Sequence, residues 1–198
     1  MRHLRFYIPF ELQLGGNYQI PDDKARHILQ VLRLSMGDDF VLFNGDGKEY
    51  SAKLIDVTKK TARVNIFAVD VVNRESNLQV HLIQGLSKGD RMDATIQKCV
   101  ELGVNLIYPV NTCRSNLKIN ESRMEKKHTH WRGVINAACE QSGRNVIPQL
   151  QMASQFESVI SEYAKYPGLK LILHPVKGKT LFQLSEKPQN LVLLVGPE

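Results

Sequence analysis

Lys88 to Arg114 reads KGDRMDATIQKCVELGVNLIYPVNTCR, and the reading of this stretch decides the fold class. Ile96, Cys99 and Val100 follow the i, i+3, i+4 spacing of a helix that buries one face. Arg91, Asp93, Lys98 and Glu101 lie off that stripe. Gly103 is a natural stop, because it adopts positive φ without a Cβ clash. Leu106, Ile107 and Val110 then read as a short buried strand, closed by the polar run Thr112-Cys113-Arg114-Ser115. A loop, an amphipathic helix and a buried strand in succession predict a β-α-β unit with a parallel sheet. In such sheets ligands bind at the carboxyl edge of the strands. Gly89-Asp90-Arg91 brings backbone amides, a carboxylate and a guanidinium to the helix start. An ordinary capped helix accounts for the same residues.

Outward from this unit the chain falls into two halves. Towards the N-terminus, His3 to Ile8 reads as a strand closed by Pro9. Pro21, Asp22 and Asp23 open a helix whose apolar residues are Ala25, Ile28, Leu29 and Leu32, with Arg26 and Arg33 pointing away. Asp39–Phe43 and Tyr50–Val57 flank the turn Asn44-Gly45-Asp46-Gly47 as a hairpin. Thr61–Val69 alternates as a further strand. Several short strands around one helix predict a small β-barrel. The polar stretch Asp70 to Asn77 reads as the linker.

Beyond it strands and helices alternate. Leu78–Gln84 is a strand. Asn120 is placed to cap a long helix to about Ser142, with Trp131, Val134, Ile135 and Ala138 as its stripe. Ser154 is placed to cap a helix through Phe156, Val159 and Ile160. Leu169–Leu173 and Leu191–Val195 are apolar runs, as expected of strands covered on both faces.

Composition narrows the function. With 42% hydrophobic and 23% charged residues the chain is an ordinary globular sequence. No apolar run approaches the roughly 20 residues that span a bilayer. The start, Met-Arg-His-Leu-Arg-Phe, lacks the apolar core of a signal peptide. Three cysteines without CxxC spacing suggest neither zinc nor disulfides, so a reduced, cytoplasmic protein without metal is expected. The net charge is +6, and its clustering matters more than its size. Arg114, Lys118, Arg123, Lys126, Lys127 and Arg132 fall close together, opposed only by Glu121 and Glu125. Such a cluster is either a solvated helix face or a phosphate-binding one. No Walker A, GxSxG, HExxH or GxGxxG-after-strand pattern occurs.

The stretch KGDRMDATIQKCVELGV followed by PVNTCRS resembles the RsmE family of 16S ribosomal RNA uridine N3-methyltransferases, of the knotted SPOUT superfamily. The likeness extends to His27-Ile28-Leu29-Gln30-Val31-Leu32-Arg33 with Gly37 and to Trp131. It continues through Ala138-Cys139-Glu140-Gln141-Ser142-Gly143-Arg144 with Pro148, Leu173-His174-Pro175 and Leu194-Val195-Gly196-Pro197-Glu198. It implies a PUA-like β-barrel RNA-binding domain over residues 1–72 and a SPOUT α/β-knot methyltransferase domain over residues 73–198. It also implies a homodimer that takes the methyl group of S-adenosylmethionine to N3 of a uridine in the small ribosomal subunit.

The resemblance makes Leu173, His174, Pro175, Gly196, Pro197 and Glu198 walls of the cofactor pocket. It suggests Glu140, Gln141 and Arg144 as lining of the cofactor or target-base site. Arg91, Arg114 and Arg144 are the candidates for stabilising negative charge on the target base. Arg5, Arg26, Arg33, Lys118, Arg123, Lys126 and Lys127 are candidate RNA contacts. No general base is assigned. Relatives continue past Gly-Pro-Glu with two glycines and a knot-threading segment. The 198-residue chain is therefore expected to fold, yet to bind S-adenosylmethionine more weakly than a chain carrying that segment. A non-catalytic RNA-binding or ribosome-assembly protein is the alternative, and the barrel with the basic segment would suffice for it.

Overall fold

A computed structural model describes residues 4–58, 60–113, 121–173, 178, 180–184 and 188–197. The chain forms two compact units. Met1–Arg74 make the first, joined by Cys139–Val146; Glu75–Ala138 and Ile147–Glu198 make the second.

The first unit is a mixed five-stranded sheet. Its strands are β1 (Arg5–Tyr7), β2 (Asn17–Gln19), β3 (Asp39–Phe43), β4 (Lys48–Val57) and β5 (Ala62–Val71), in the order β1-β3-β4-β5-β2. β1 runs parallel to β3, while the β3–β4, β4–β5 and β5–β2 pairs are antiparallel. Alternation on β5 drives Ala62, Val64 and Ile66 inward and leaves Arg63 and Phe67 outside, as a sheet with one buried face requires. These side chains join Phe6, Ile8, Ile20, Ile28, Phe40 and Leu54 in one core. Phe6 meets Phe40 edge to face at 5.4 Å. The helix read from Pro21 onward differs from expectation. Only Asp22–Arg26 (α1) is α-helical, and His27–Val31 form a π-helical turn. β2 has no signal in the sequence, because three residues between Gly16 and Pro21 are too few to show a period.

The second unit is an all-parallel sheet of β6 (Gln79–Gly85), β7 (Leu106–Asn111), β8 (Gln149–Leu150), β9 (Ser154–Gln155), β10 (Leu169–Ile172) and β11 (Asn190–Val195). Its order is β10-β11-β6-β7-β8, with β9 pairing further along β7. Helix α2 (Arg91–Glu101) crosses from β6 to β7 and buries Met92, Ile96 and Val100. Gly103 ends it at φ +96°. Helix α3 is Glu121–Ser142, and α4 is Phe156–Ala164. α4 packs on the sheet through Val159 and Tyr163, against Ile83, Val110 and Val192.

Two readings need correction here, and a third, the Asn120 cap, lies outside the described residues. Ser154 belongs to β9, and Gln155 is the residue that precedes α4. β10 is not covered on both faces: it is the sheet's edge, Ile172 is 72% exposed, and only Leu169 and Leu171 are half-buried. Its apolar run says nothing about how many neighbours it has.

Candidate functional site at the carboxyl edge of the parallel sheet

Parallel pairing carries every strand exit of the second unit to one edge. β6 and β11 are neighbours with Gln84 opposite Val195, so the segments after Gly85 and after Val195 leave side by side. Two contacts fasten them together, to Gly196 O and to Pro197 O. The Gln84 Nε2 amide donates to Gly196 O at 2.9 Å and to Gly85 O at 3.0 Å. The Ser87 hydroxyl donates to Pro197 O at 3.1 Å. Gly85 completes the seat. A Cβ there would stand 2.8 Å from Pro197 N and 2.9 Å from its ring Cδ, so only glycine lets the loop lie this close. On the next exit along, Leu173 N donates to Leu194 O at 3.1 Å.

Two acceptors at this edge lack donors among the described residues. Gln84 is 3% exposed, and with its amide committed to two carbonyls its Oε1 is left without a partner. Asn111 Oδ1, at the end of the adjacent β7, is likewise buried and unpartnered. Gln84 pairs with Pro109, so by the two-residue period of a strand Gln84 and Asn111 face the same side. An unpaired buried acceptor costs about 1–3 kcal/mol. A ligand rich in N–H and O–H groups would remove that cost.

The start of α2 carries a second polar group. Asp93 accepts from His130 Nε2 at 2.6 Å and from Trp131 Nε1 at 3.1 Å, tying α2 to α3. Lys127 lies over the Trp131 ring, 5.7 Å from its centroid. A cavity of about 460 Å³ opens between the two helices, lined by Asp90, Asp93, Gln97, Val134 and Ala137 among others. Among the described residues no group of His, Cys, Asp and Glu could hold a metal ion, and no helix is long and apolar enough to cross a membrane.

The predicted site residues separate accordingly. Leu173, Gly196 and Pro197 stand at the carboxyl edge with Gln84, Gly85 and Ser87, which the sequence reading passed over. Their one signal was a Gln-Gly pair closing an apolar strand. Arg91 is exposed at the first turn of α2. Arg123 and Lys126 are exposed and Lys127 is half-buried on α3. Arg114, Lys118, His174, Pro175 and Glu198 lie outside the described residues.

Arg144 belongs to the first unit, where it is 5% exposed. So does Glu140, whose Oε1 accepts from Tyr7 N at 2.9 Å and from Lys24 Nζ. Arg5 is absorbed within this unit. Its guanidinium binds Glu49 and Asn145 Oδ1, reaches Arg144 O at 3.3 Å and lies 5.0 Å from the Phe43 ring centre. Arg74 joins Glu49 to Gly143 O. Arg26 and Arg33 are exposed.

The family described as RNA methyltransferase domain matches residues 74–198, and the one described as RNA methyltransferase PUA domain matches residues 20–67. The ribosomal RNA small subunit methyltransferase E of Buchnera aphidicola (strain APS) is 30% identical over 194 residues, which are 98% of this chain and 76% of that protein. The chain belongs to the ribosomal RNA small subunit methyltransferase E family. Solved methyltransferases share its architecture. The methyltransferase E of Neisseria gonorrhoeae, bound to S-adenosyl methionine, is 36% identical with a TM-score of 0.90, covering 98% of this chain and 80% of that one. A Legionella pneumophila protein described as a methyltransferase, in complex with the same cofactor, is 41% identical with a TM-score of 0.94, covering 100% and 81%. Methyltransferase E chains thus place a SPOUT-type parallel-sheet domain behind a small β-rich PUA domain, and this chain is an RNA methyltransferase of that kind.

Proposed function

We propose that this chain transfers the methyl group of S-adenosylmethionine to N3 of a uridine in the 16S RNA of the small ribosomal subunit, as a cytoplasmic homodimer. The observation that carries the reading is the fastened carboxyl edge. Gln84, Gly85 and Ser87 hold the Gly196–Pro197 loop, and two buried acceptors there lack donors among the described residues. The amino group, ribose hydroxyls and adenine amine of the cofactor are donors of the required kind, so the residues present fit it. Relatives solved with this cofactor support the assignment.

When bound, the cofactor supplies a methyl group already activated on a sulfonium, so the chain's own task is positioning. Leu173, Gly196 and Pro197 would wall the cofactor. The N3 proton of uracil must leave as the new bond forms, and negative charge spreads onto the flanking carbonyls. A guanidinium beside them stabilises that charge. Arg91 fits this role, because it stands at the start of α2 and makes no ion pair among the described residues. Arg114 is proposed for the same role from the resemblance alone. Arg144, buried and accepting from Arg5 at its backbone carbonyl, is likewise proposed for it from the resemblance alone.

The deciding experiment supplies methyl-labelled cofactor and small subunits from cells lacking this modification, followed by digestion to nucleosides. Label in 3-methyluridine is expected. Label in another nucleoside rejects the N3 assignment. Binding to the subunits without transfer supports the non-catalytic alternative.

The basic face of α3 gives a further expectation. Lys126 is exposed, and Lys126→Ala should weaken RNA binding a few-fold and reduce the salt slope by about 1, the effect of one lost phosphate contact. An unchanged slope in a salt titration would mark this face as merely solvated.

A further inference from the structure

Gln84 Oε1 and Asn111 Oδ1 are buried acceptors without donors among the described residues. Chemistry fixes the direction of the Gln84 amide. Its two partners are the carbonyls of Gly85 and Gly196, so the nitrogen must face them and the oxygen must point away. Native folds pair nearly all such groups, and each exception calls for a cause.

Both acceptors turn to one layer. Ile83, Val110 and Val192 pack with Val159 and Tyr163 of α4. Gln84 follows Ile83 and Asn111 follows Val110, so by strand alternation both lie on the opposite face. That face belongs to α2 and α3. The crossovers through α2 and α3 step from β6 to β7 to β8, and the crossover through α4 steps back to β10. Right-handed crossovers in opposite directions put their helices on opposite faces. Gln84 pairs with Pro109, two residues before Asn111 on the neighbouring strand, so their Cα atoms are about 8 Å apart. Two acceptors at that spacing reach donors on one small molecule.

The charges nearby decide the kind of donor. A buried ammonium needs an anionic partner. Along the exits at residues 85–93, 111–113 and 196–197 the carboxylates are Asp90, which is exposed, and Asp93, which already accepts from His130 and Trp131. Lys88 and Arg91 bring positive charge to the same exit. An uncharged N–H or O–H therefore suits Gln84 and Asn111, and an ammonium does not.

We infer that Gln84 and Asn111 select the nucleoside half of S-adenosylmethionine: their side-chain carbonyls accept from its ribose hydroxyls or its adenine amine, and the amino-acid half lies away from them. The inference rests on the proposed cofactor site and adds which half of the cofactor the β6–β7 edge takes.

The test measures calorimetric binding of S-adenosylhomocysteine, the product left after transfer, to the whole chain and to Asn111→Ala. Beside it run analogues with 2′-deoxyribose, with 3′-deoxyribose, with inosine in place of adenosine, and without the α-amino group. Deleting the donor that meets Asn111 should weaken binding to the parent about five- to hundredfold, because a buried acceptor is left unpaired. The same analogue should bind Asn111→Ala no worse than S-adenosylhomocysteine does. A loss with a deoxyribose analogue assigns the ribose, and a loss with the inosine analogue assigns the adenine amine. A nucleoside deletion whose cost persists in Asn111→Ala marks the donor that meets Gln84. Ligand-free Asn111→Ala should melt no lower than the parent, since it loses an unpaired polar atom and not a bond; a merely structural asparagine would lower the melting temperature. Should the variant fail to fold, the analogue series on the parent decides alone. A parent indifferent to every nucleoside deletion, or sensitive only to loss of the amino group, would overturn the inference, while methyl transfer by that parent left the proposed function standing. A parent that neither binds S-adenosylhomocysteine nor transfers methyl would remove both.

Discussion

Gly85→Ala weakens binding of S-adenosylmethionine roughly 10- to 100-fold while the chain still folds. The added methyl would stand 2.8 Å from Pro197 N, 2.9 Å from Pro197 Cδ and 3.1 Å from Gly196 C. Backbone and a proline ring cannot swing aside as a lysine tip can. Either β6 or the loop must move, and β6 is held between β11 and β7, so the loop moves more cheaply. Its displacement breaks the bonds from Gln84 to Gly196 O and from Ser87 to Pro197 O. Overpacking of this kind costs about 1–3 kcal/mol, and if the loop is a wall of the cofactor pocket, that cost appears in affinity. Calorimetry with the cofactor measures it. Gly133→Ala is the control, because a Cβ there meets nothing within 4 Å, and it should leave binding intact. Equal affinities for Gly85→Ala and the parent would mean that the Gly196–Pro197 loop does not hold the cofactor.

Glu49→Gln should destabilise the first unit by about 2 kcal/mol and abolish part of its acid sensitivity. The Glu49 carboxylate binds both Arg5 and Arg74, and through them the Gly143–Asn145 turn. Breaking a fully buried pair costs about 3–5 kcal/mol. Arg74 is 42% exposed, which lowers the expectation. Burial alone would raise this carboxyl's pKa, but the hydrogen bonds and charges of Arg74 and Arg5 outweigh it and hold the group below its ordinary value of 4.5. A lowered folded value contributes stability that is full above the unfolded pKa and is lost as pH falls through the folded one. The parent should therefore lose stability on acidification below about pH 4.5, and Glu49→Gln should lose less over that window. Denaturant melts at stepped pH test this, with hydrogen exchange at β4, β5 and Gly143–Asn145 locating the change. Parallel pH curves for the two proteins would show that the carboxylate adds nothing to the unit.

Much of this molecule was legible one segment at a time. The bounds of α2, its stop at Gly103, the β3–β4 hairpin and the alternation of β5 follow from side-chain period and from glycine's freedom. Those signals lie within a dozen residues and survive without the rest of the chain. The exit of β11 was recognisable for the same reason, as an apolar run breaking into a proline loop.

Other features had no local trace. β2, β8 and β9 are two or three residues long and exist only because a longer strand offers unpaired backbone beside them. The Ala138–Arg144 motif read as a helix end near the target base, yet Cys139–Val146 cluster with the N-terminal unit. The deciding bonds come from Arg5, Tyr7, Lys24 and Arg74, up to 140 residues away. Arg5, named from the resemblance as an RNA contact, forms an ion pair with Glu49 that no local pattern announces. The sequence by itself determined the parallel sheet and the small β-rich part that precedes it, because period and turn chemistry are local. Only the tertiary structure decided which polar groups are satisfied within the fold and which, like Gln84 Oε1, are left over among the described residues, because that depends on partners the chain brings together from far apart.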